Sequence, residues 1–235
     1  MKLNSSTRPA PDWLNTFPKN RLMAEISLWS ADLGRLEEDT KRIEPLTDIF
    51  HVDVADGHFS PAMLFFPDLL ARLRKVTQKP IHVHLMVADR ILMNQVSQFA
   101  EAGSDLISVH AENANALEAL ASIKAAGLKS GVVLQLHTAV KDAAKFVAYI
   151  DMFTLLGTRM GIKGVGLDDD APARLTEARA LLANAGHRII VAADGGIRDT
   201  TVPKLRGAGA ETIVMGSLAF GAPDLAARMA WVHAQ

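Results

Sequence analysis

Between residues 22 and 216 a short apolar or β-branched run is followed eight times by a longer segment of helical character, and this alternation limits the available folds more than any other feature. The runs fall at residues 22–28, 48–54, 81–87, 105–110, 131–136, 152–156, 188–193 and 212–216. Helical periodicity between them is clearest at 32–43, 89–102, 113–126, 172–185 and 200–207. Successive runs start roughly 20 to 40 residues apart, which leaves room for the crossover that parallel strands require.

Gly103, Gly127 and Gly209 each stand where a helix should stop, in the position that favours a left-handed residue. Ile189-Ile190-Val191-Ala192-Ala193 is apolar without a break, as expected of a strand covered by helices on one side and a core on the other. Eight such units predict an α/β fold, a single (β/α)8 TIM barrel over residues 21–235, preceded by an N-terminal extension of residues 1–20 placed against the barrel floor or a neighbouring subunit. An open doubly wound sheet would present G-x-G-x-x-G in its first crossover, and no such loop follows Leu28. A chain of 235 residues fits one barrel.

Charge and composition narrow the function. With 25 Lys+Arg against 26 Asp+Glu the formal net charge is −1, which argues against a generic nucleic-acid binder. No apolar run approaches the roughly 18 to 20 residues that span a bilayer, so no membrane partner is expected. The first twenty residues hold three prolines and no apolar core of a secretory signal, and the expected compartment is the cytoplasm. There is no cysteine, so a metal would have to be held by His and carboxylates.

In a (β/α)8 barrel chemistry gathers at the C-terminal ends of the strands. Side chains alternate along a strand, so in Ile49-Phe50-His51-Val52-Asp53-Val54 the two ionisable groups His51 and Asp53 share a face. Ile81-His82-Val83-His84-Leu85-Met86 repeats the pattern with His82 and His84, and the seventh run ends at Asp194, directly before Gly195-Gly196. A single barrel histidine is more often a hydrogen-bonded packing residue than a ligand. Two His and two Asp at the ends of different strands are harder to bury without a metal, mutual pairing or a solvated mouth. Such a set suits one divalent transition-metal ion, with zinc, manganese, iron and cobalt all fitting the donors.

Glycine-rich segments form a second group: Gly157 to Gly166 after the sixth run, Gly195-Gly196 after the seventh, and Gly216-Ser217 after the eighth. Glycines there serve as tight turns in any barrel. Three on consecutive strands favour an anion site, since barrels often hold phosphate in the last loops.

The string His51-Val52-Asp53-Val54-Ala55-Asp56-Gly57-His58-Phe59, with Val83-His84-Leu85-Met86-Val87, His110-Ala111-Glu112 and Asp194-Gly195-Gly196-Ile197, resembles the ribulose-phosphate 3-epimerase family. Ser27-Leu28-Trp29-Ser30-Ala31-Asp32 is similar to the family's opening motif, and Gly216-Ser217-Leu218-Ala219-Phe220 to its closing one. The resemblance implies a metal-dependent enzyme that inverts C3 of a ketose phosphate, interconverting D-ribulose 5-phosphate and D-xylulose 5-phosphate. It implies His51, Asp53, His84 and Asp194 as metal ligands, Asp53 and Asp194 as the acid/base pair, and Ser27 and His84 as substrate contacts. The phosphate would lie on Gly161, Ile162, Lys163 and Gly164, on Gly195-Gly196 and on Gly216-Ser217. No organic cofactor is needed, and a homo-oligomer is expected.

Departures from the pattern sit in the pocket wall. The family has Met where Ala55 stands, Asp where His82 stands, and N-L-T-F-G where Ala62-Met63-Leu64-Phe65-Phe66 stands. Its P-G-F-G-G aligns with Met160-Gly161-Ile162-Lys163-Gly164, and its V-L-N-P with Leu134-Gln135-Leu136-His137. Lys163 is expected to give the phosphate a cation in place of lost amide contacts. The alternatives are the same epimerisation of a tetrulose or hexulose phosphate and a non-catalytic phosphate-binding barrel. The D-x-K-x-x-D of the related decarboxylases and aldol synthases has no counterpart, because Asp53-Val54-Ala55-Asp56 lacks the lysine.

Overall fold

The computed structural model describes residues 8–235. Eight strands form a closed parallel barrel: β1 (Met23–Ser27), β2 (Ile49–Asp56), β3 (Ile81–Met86), β4 (Leu106–His110), β5 (Lys129–Leu134), β6 (Met152–Leu156), β7 (Ile190–Asp194) and β8 (Thr212–Met215). Each strand pairs with the next, and β8 pairs with β1 to close the ring. The outer layer comprises helices at Leu36–Ile43, Pro67–Leu73, Asp89–Ala102, Ala116–Ala125, Ala171–Leu182, Val202–Gly207 and Leu225–His233. A 3-10 segment, Val140–Tyr149, takes the place of the helix between β5 and β6.

The predicted strand 152–156 and helix 89–102 coincide with the structure. Gly103, Gly127 and Gly209 all have positive φ, as their helix-stop role requires. The fifth strand differs from its predicted span of 131–136. It begins at Lys129, whose backbone N–H donates to the Asp105 carbonyl, and it stops before Gln135, whose N–H is taken by the Glu112 side chain. Polar anchors, invisible to an apolar-run criterion, move the strand two residues toward the barrel floor.

Two apolar layers hold the barrel. Side chains such as Phe50, Val52, Phe99 and Phe153 fill the space between strands and helices. Inside the floor, Met23, Ile49, Leu106, Met152 and Ile190 pack together and are covered by Trp13 and Leu14 of the turn Trp13–Thr16. Both covering residues are buried, so part of the leading segment closes the barrel bottom. Residues 1–7 of the expected extension lie outside the described residues. With the floor closed by apolar packing, the inward polar side chains are left to the opposite, C-terminal end.

Beyond β2 the chain turns back through the short antiparallel segment Met63–Leu64. Asp56 secures this excursion by accepting N–H groups of His58, Phe59 and Ala88.

Candidate active site and metal centre

A cavity of about 350 Å³ opens at the C-terminal mouth of the barrel. Register aligns Ser27 with His51 and Asp53 with His84 across adjacent strands, so the period-2 faces read from single strands combine into one cluster. Ser27, Asp53, His84 and Asp194 line the cavity, together with Gly161, Ile162, Lys163 and Gly164, the pair Gly195-Gly196, and Gly216-Ser217. His51 lies just beneath, fully buried. The candidate residues read from the sequence therefore converge on one end of the barrel.

His51 Nε2 is 3.3 Å from Asp53 Oδ1, and His84 Nδ1 is 3.4 Å from Asp53 Oδ1 and 3.8 Å from Asp194 Oδ2. One ligand atom from each of the four residues lies within 4.8 Å of all the others. Two of those atoms, His51 Nε2 and His84 Nδ1, are buried and have no hydrogen-bond partner among the described residues. Unpartnered buried nitrogens are costly, and here both face carboxylates with a donor set suited to a divalent cation. The residues therefore fit a metal ion.

A chain of hydrogen bonds prepares His84 for such a role. Glu112 is held at about 2, because bonds from His110, Thr138 and the Gln135 backbone outweigh the upward push of burial. Its carboxylate only accepts, so the Nδ1 of His110, 3.1 Å away, carries the hydrogen. Burial keeps His110 neutral, lowering it to about 4, and its Nε2 accepts from Nε2 of His84 at 2.9 Å. That leaves the lone pair of His84 on Nδ1, the nitrogen that faces Asp53 and Asp194.

The two aspartates are driven apart. Burial raises both, but His51 and His84 outweigh it at Asp53 and hold that carboxyl well below the usual range. At Asp194 burial prevails, reinforced by the negative charge of Asp53, and the carboxyl rises to about 6. His51 is pushed well above its usual value, since Asp53 and Glu25 outweigh burial.

Two placements refine the sequence expectations. Ser27, expected at the substrate, donates its hydroxyl to Asp53 Oδ2 at 2.7 Å. Lys163 places Nζ 2.5 Å from the Trp29 carbonyl and 4.6 Å from the centre of the Trp29 ring, at the cavity wall. The loop carrying it needs glycine at position 161, where φ is +72° and an added Cβ would strike Ser60 and Pro61. At Gly196, φ is +70° and a Cβ would lie 2.6 Å from Cα of Leu167.

Several contributing residues were given no role by the sequence reading. Arg159 and Arg198 add cations to the cavity wall, and Trp29 adds an indole. Glu25, Ser108, His110 and Glu112 lie behind the ligands and touch them directly or through one another. The signal for Glu25 was available, since it shares the inward face of β1 with Ser27, two residues on.

The structure is a closed (β/α)8 barrel whose inward His2Asp2 set, able to hold a metal ion, lies beneath a glycine-rich mouth at the end where such barrels carry their chemistry. The chain matches the ribulose-phosphate 3 epimerase family over residues 23–220. It is 33% identical over 201 residues to a ribulose-phosphate 3-epimerase of Bacillus subtilis, covering 84% of this chain and 92% of that one. Identity to the Escherichia coli enzyme of the same name is 34%, over 84% of this chain and 88% of its relative. The chloroplastic ribulose-5-phosphate-3-epimerase of Arabidopsis thaliana is 31% identical, with 91% and 76% covered. The chain thus belongs to the ribulose-phosphate 3-epimerase family, a family of isomerases acting on carbohydrates.

Solved structures extend the likeness at the level of fold. A 3-hexulose-6-phosphate synthase superposes with a TM-score of 0.64 at 19% identity, covering 91% of this chain and 98% of the other. An orotidine 5′-phosphate decarboxylase from Pyrococcus horikoshii gives 0.63 at 16%, covering 90% and 97%.

Proposed function

We propose that this protein interconverts D-ribulose 5-phosphate and D-xylulose 5-phosphate by proton transfer at C3, with His51, Asp53, His84 and Asp194 holding one divalent ion, zinc foremost and iron, manganese or cobalt as alternatives. The observation that carries the reading is the pair of inward carboxylates on β2 and β7, Asp53 and Asp194, which line one cavity and both face Nδ1 of His84. Inversion of a carbon centre needs a base on one face and an acid on the other. Two carboxyls that reach the cavity from different strands meet that need, and their roles exchange when the reaction runs backwards.

A divalent ion bound by the four residues would supply Lewis acidity toward negative charge developing on the sugar's C2 oxygen. Asp53 takes the C3 proton from one side, and Asp194 returns a proton to C3 from the other. Ser27 steadies the Asp53 carboxylate through its hydroxyl. The backbone of Gly161 to Gly164, Gly195-Gly196 and Gly216-Ser217 offers close approach to the phosphate, with Lys163 as a cation nearby.

A second reading, the same epimerisation of a tetrulose or hexulose phosphate, is favoured by one feature. Lys163 and Trp29 build a cationic and aromatic wall where the family pattern has a glycine-rich loop. This reading includes a cytoplasmic setting, a homo-oligomer and a phosphorylated sugar as the small-molecule partner. Among the described residues no helix is long and apolar enough to cross a membrane.

The test is NMR in D2O with zinc-loaded protein. Deuterium should enter C3 of D-ribulose 5-phosphate as D-xylulose 5-phosphate appears. Exchange only with a tetrulose or hexulose phosphate would select the second reading, and no exchange with any of them would overturn the epimerase assignment.

A further inference from the structure

Glu25 is fully buried, and among the described residues no Lys or Arg pairs with it. Among the described residues its hydrogen-bond partners are two imidazoles: Oε2 lies 2.6 Å from Nδ1 of His82 and 3.0 Å from Nδ1 of His51, while Oε1 has no partner. Burying a carboxylate without a formal cation is expensive, so its placement calls for a role toward those two rings. A carboxylate oxygen only accepts, and both Nδ1 atoms therefore carry hydrogen. In the neutral ring, the form that binds a metal, this leaves the lone pair of His51 on Nε2, which faces Asp53. His82 in turn uses Nε2 to accept from the Ser108 hydroxyl at 2.7 Å. The rings of His51 and His82 meet edge to face with centroids 4.8 Å apart, so His82 also braces the plane of His51.

We propose that Glu25, braced by His82 and Ser108, is the positioning residue that fixes the tautomer and orientation of His51 for metal binding. The inference rests on the metal-dependent reading of the site and adds to it a carboxylate held behind the ligand. Outer carboxylates of this kind orient ligand imidazoles and raise their basicity. Position 82 lies directly across the ladder from His51, so a carboxylate placed there is also within reach of that ring. The device thus has an alternative solution, in which an acid on β3 replaces the acid on β1.

The experiment measures zinc affinity by chelator competition for the wild type, Glu25→Gln, Glu25→Ala and the double variant Glu25→Ala/His82→Asp, each checked for folding by thermal melting. Glu25→Gln is expected to bind zinc about 10- to 100-fold more weakly. The double variant should regain most of the affinity lost in Glu25→Ala, which a purely structural role for Glu25 would not produce. Unchanged affinity in both Glu25 single variants would overturn the inference while leaving the metal site intact. Failure of the wild type to bind zinc, manganese, iron or cobalt would overturn the metal-dependent reading itself.

A second readout needs no variant. Long-range 1H–15N spectra of the zinc-loaded wild type should show the His51 proton on Nδ1, and a proton on Nε2 would overturn the inference.

Discussion

The Ser27 hydroxyl donates a 2.7 Å hydrogen bond to Oδ2 of Asp53, joining the end of β1 to the end of β2 inside the barrel mouth. Both groups are buried, so removing the donor leaves an anionic acceptor short of a partner. A hydrogen bond to a charged group contributes about 1.5–3 kcal/mol. Ser27→Ala should lower kcat about 10- to 100-fold with the fold retained. Unchanged kcat would mean that the bond plays no part in turnover.

Asp53→Asn and Asp194→Asn should each reduce epimerisation by more than about 100-fold, because each removes one proton carrier from opposite sides of the sugar. Metal content measured beside the rates separates loss of a ligand from loss of an acid or base. Near-normal turnover in either variant would dismantle the two-carboxylate scheme.

His110 predicts how acid acts on the metal-free protein. Burial, only partly offset by the bond to Glu112, lowers it from 6.5 to about 4 in the folded state. The unfolded chain therefore binds the extra proton first. The neutral ring contributes stability in full above pH 6.5, and that stability is lost as pH falls toward 4, by about 3 kcal/mol. Urea melts between pH 7 and pH 4 should show a shallower decline for His110→Asn than for the wild type. Parallel declines would exclude His110 as the source.

Lys163 sits on Trp29 at the cavity wall, beside the glycine-rich loops proposed to receive the phosphate. Lys163→Met should raise KM for the phosphorylated sugar by about 3- to 10-fold and leave kcat nearly unchanged. An unaltered KM would identify the lysine as a wall residue held only by Trp29.

Much of the site was legible because it obeys period 2 within single strands. His51 and Asp53, and likewise His82 and His84, could be placed on shared faces without knowing what lay beside them. Asp194 followed from its position between an apolar run and two glycines. The lengths of β5 and its neighbours were less legible, since the Glu112 side chain ends that strand by capturing the Gln135 N–H. The 3-10 segment Val140–Tyr149 and the short helix Pro67–Leu73 also escaped the periodicity reading, which favours longer regular helices.

The sequence alone determined the eightfold alternation, the glycine stops and which strands carry paired His and Asp side chains on one face, because each depends on neighbours only a few residues away. Only the tertiary structure decided which groups stand behind them. Glu25 meets His82 across 57 residues of chain, and His84 meets His110 across 26, through the stagger of strands around a closed barrel. Register is a property of the whole ring, set by packing on both sides of every strand, and no single segment contains it.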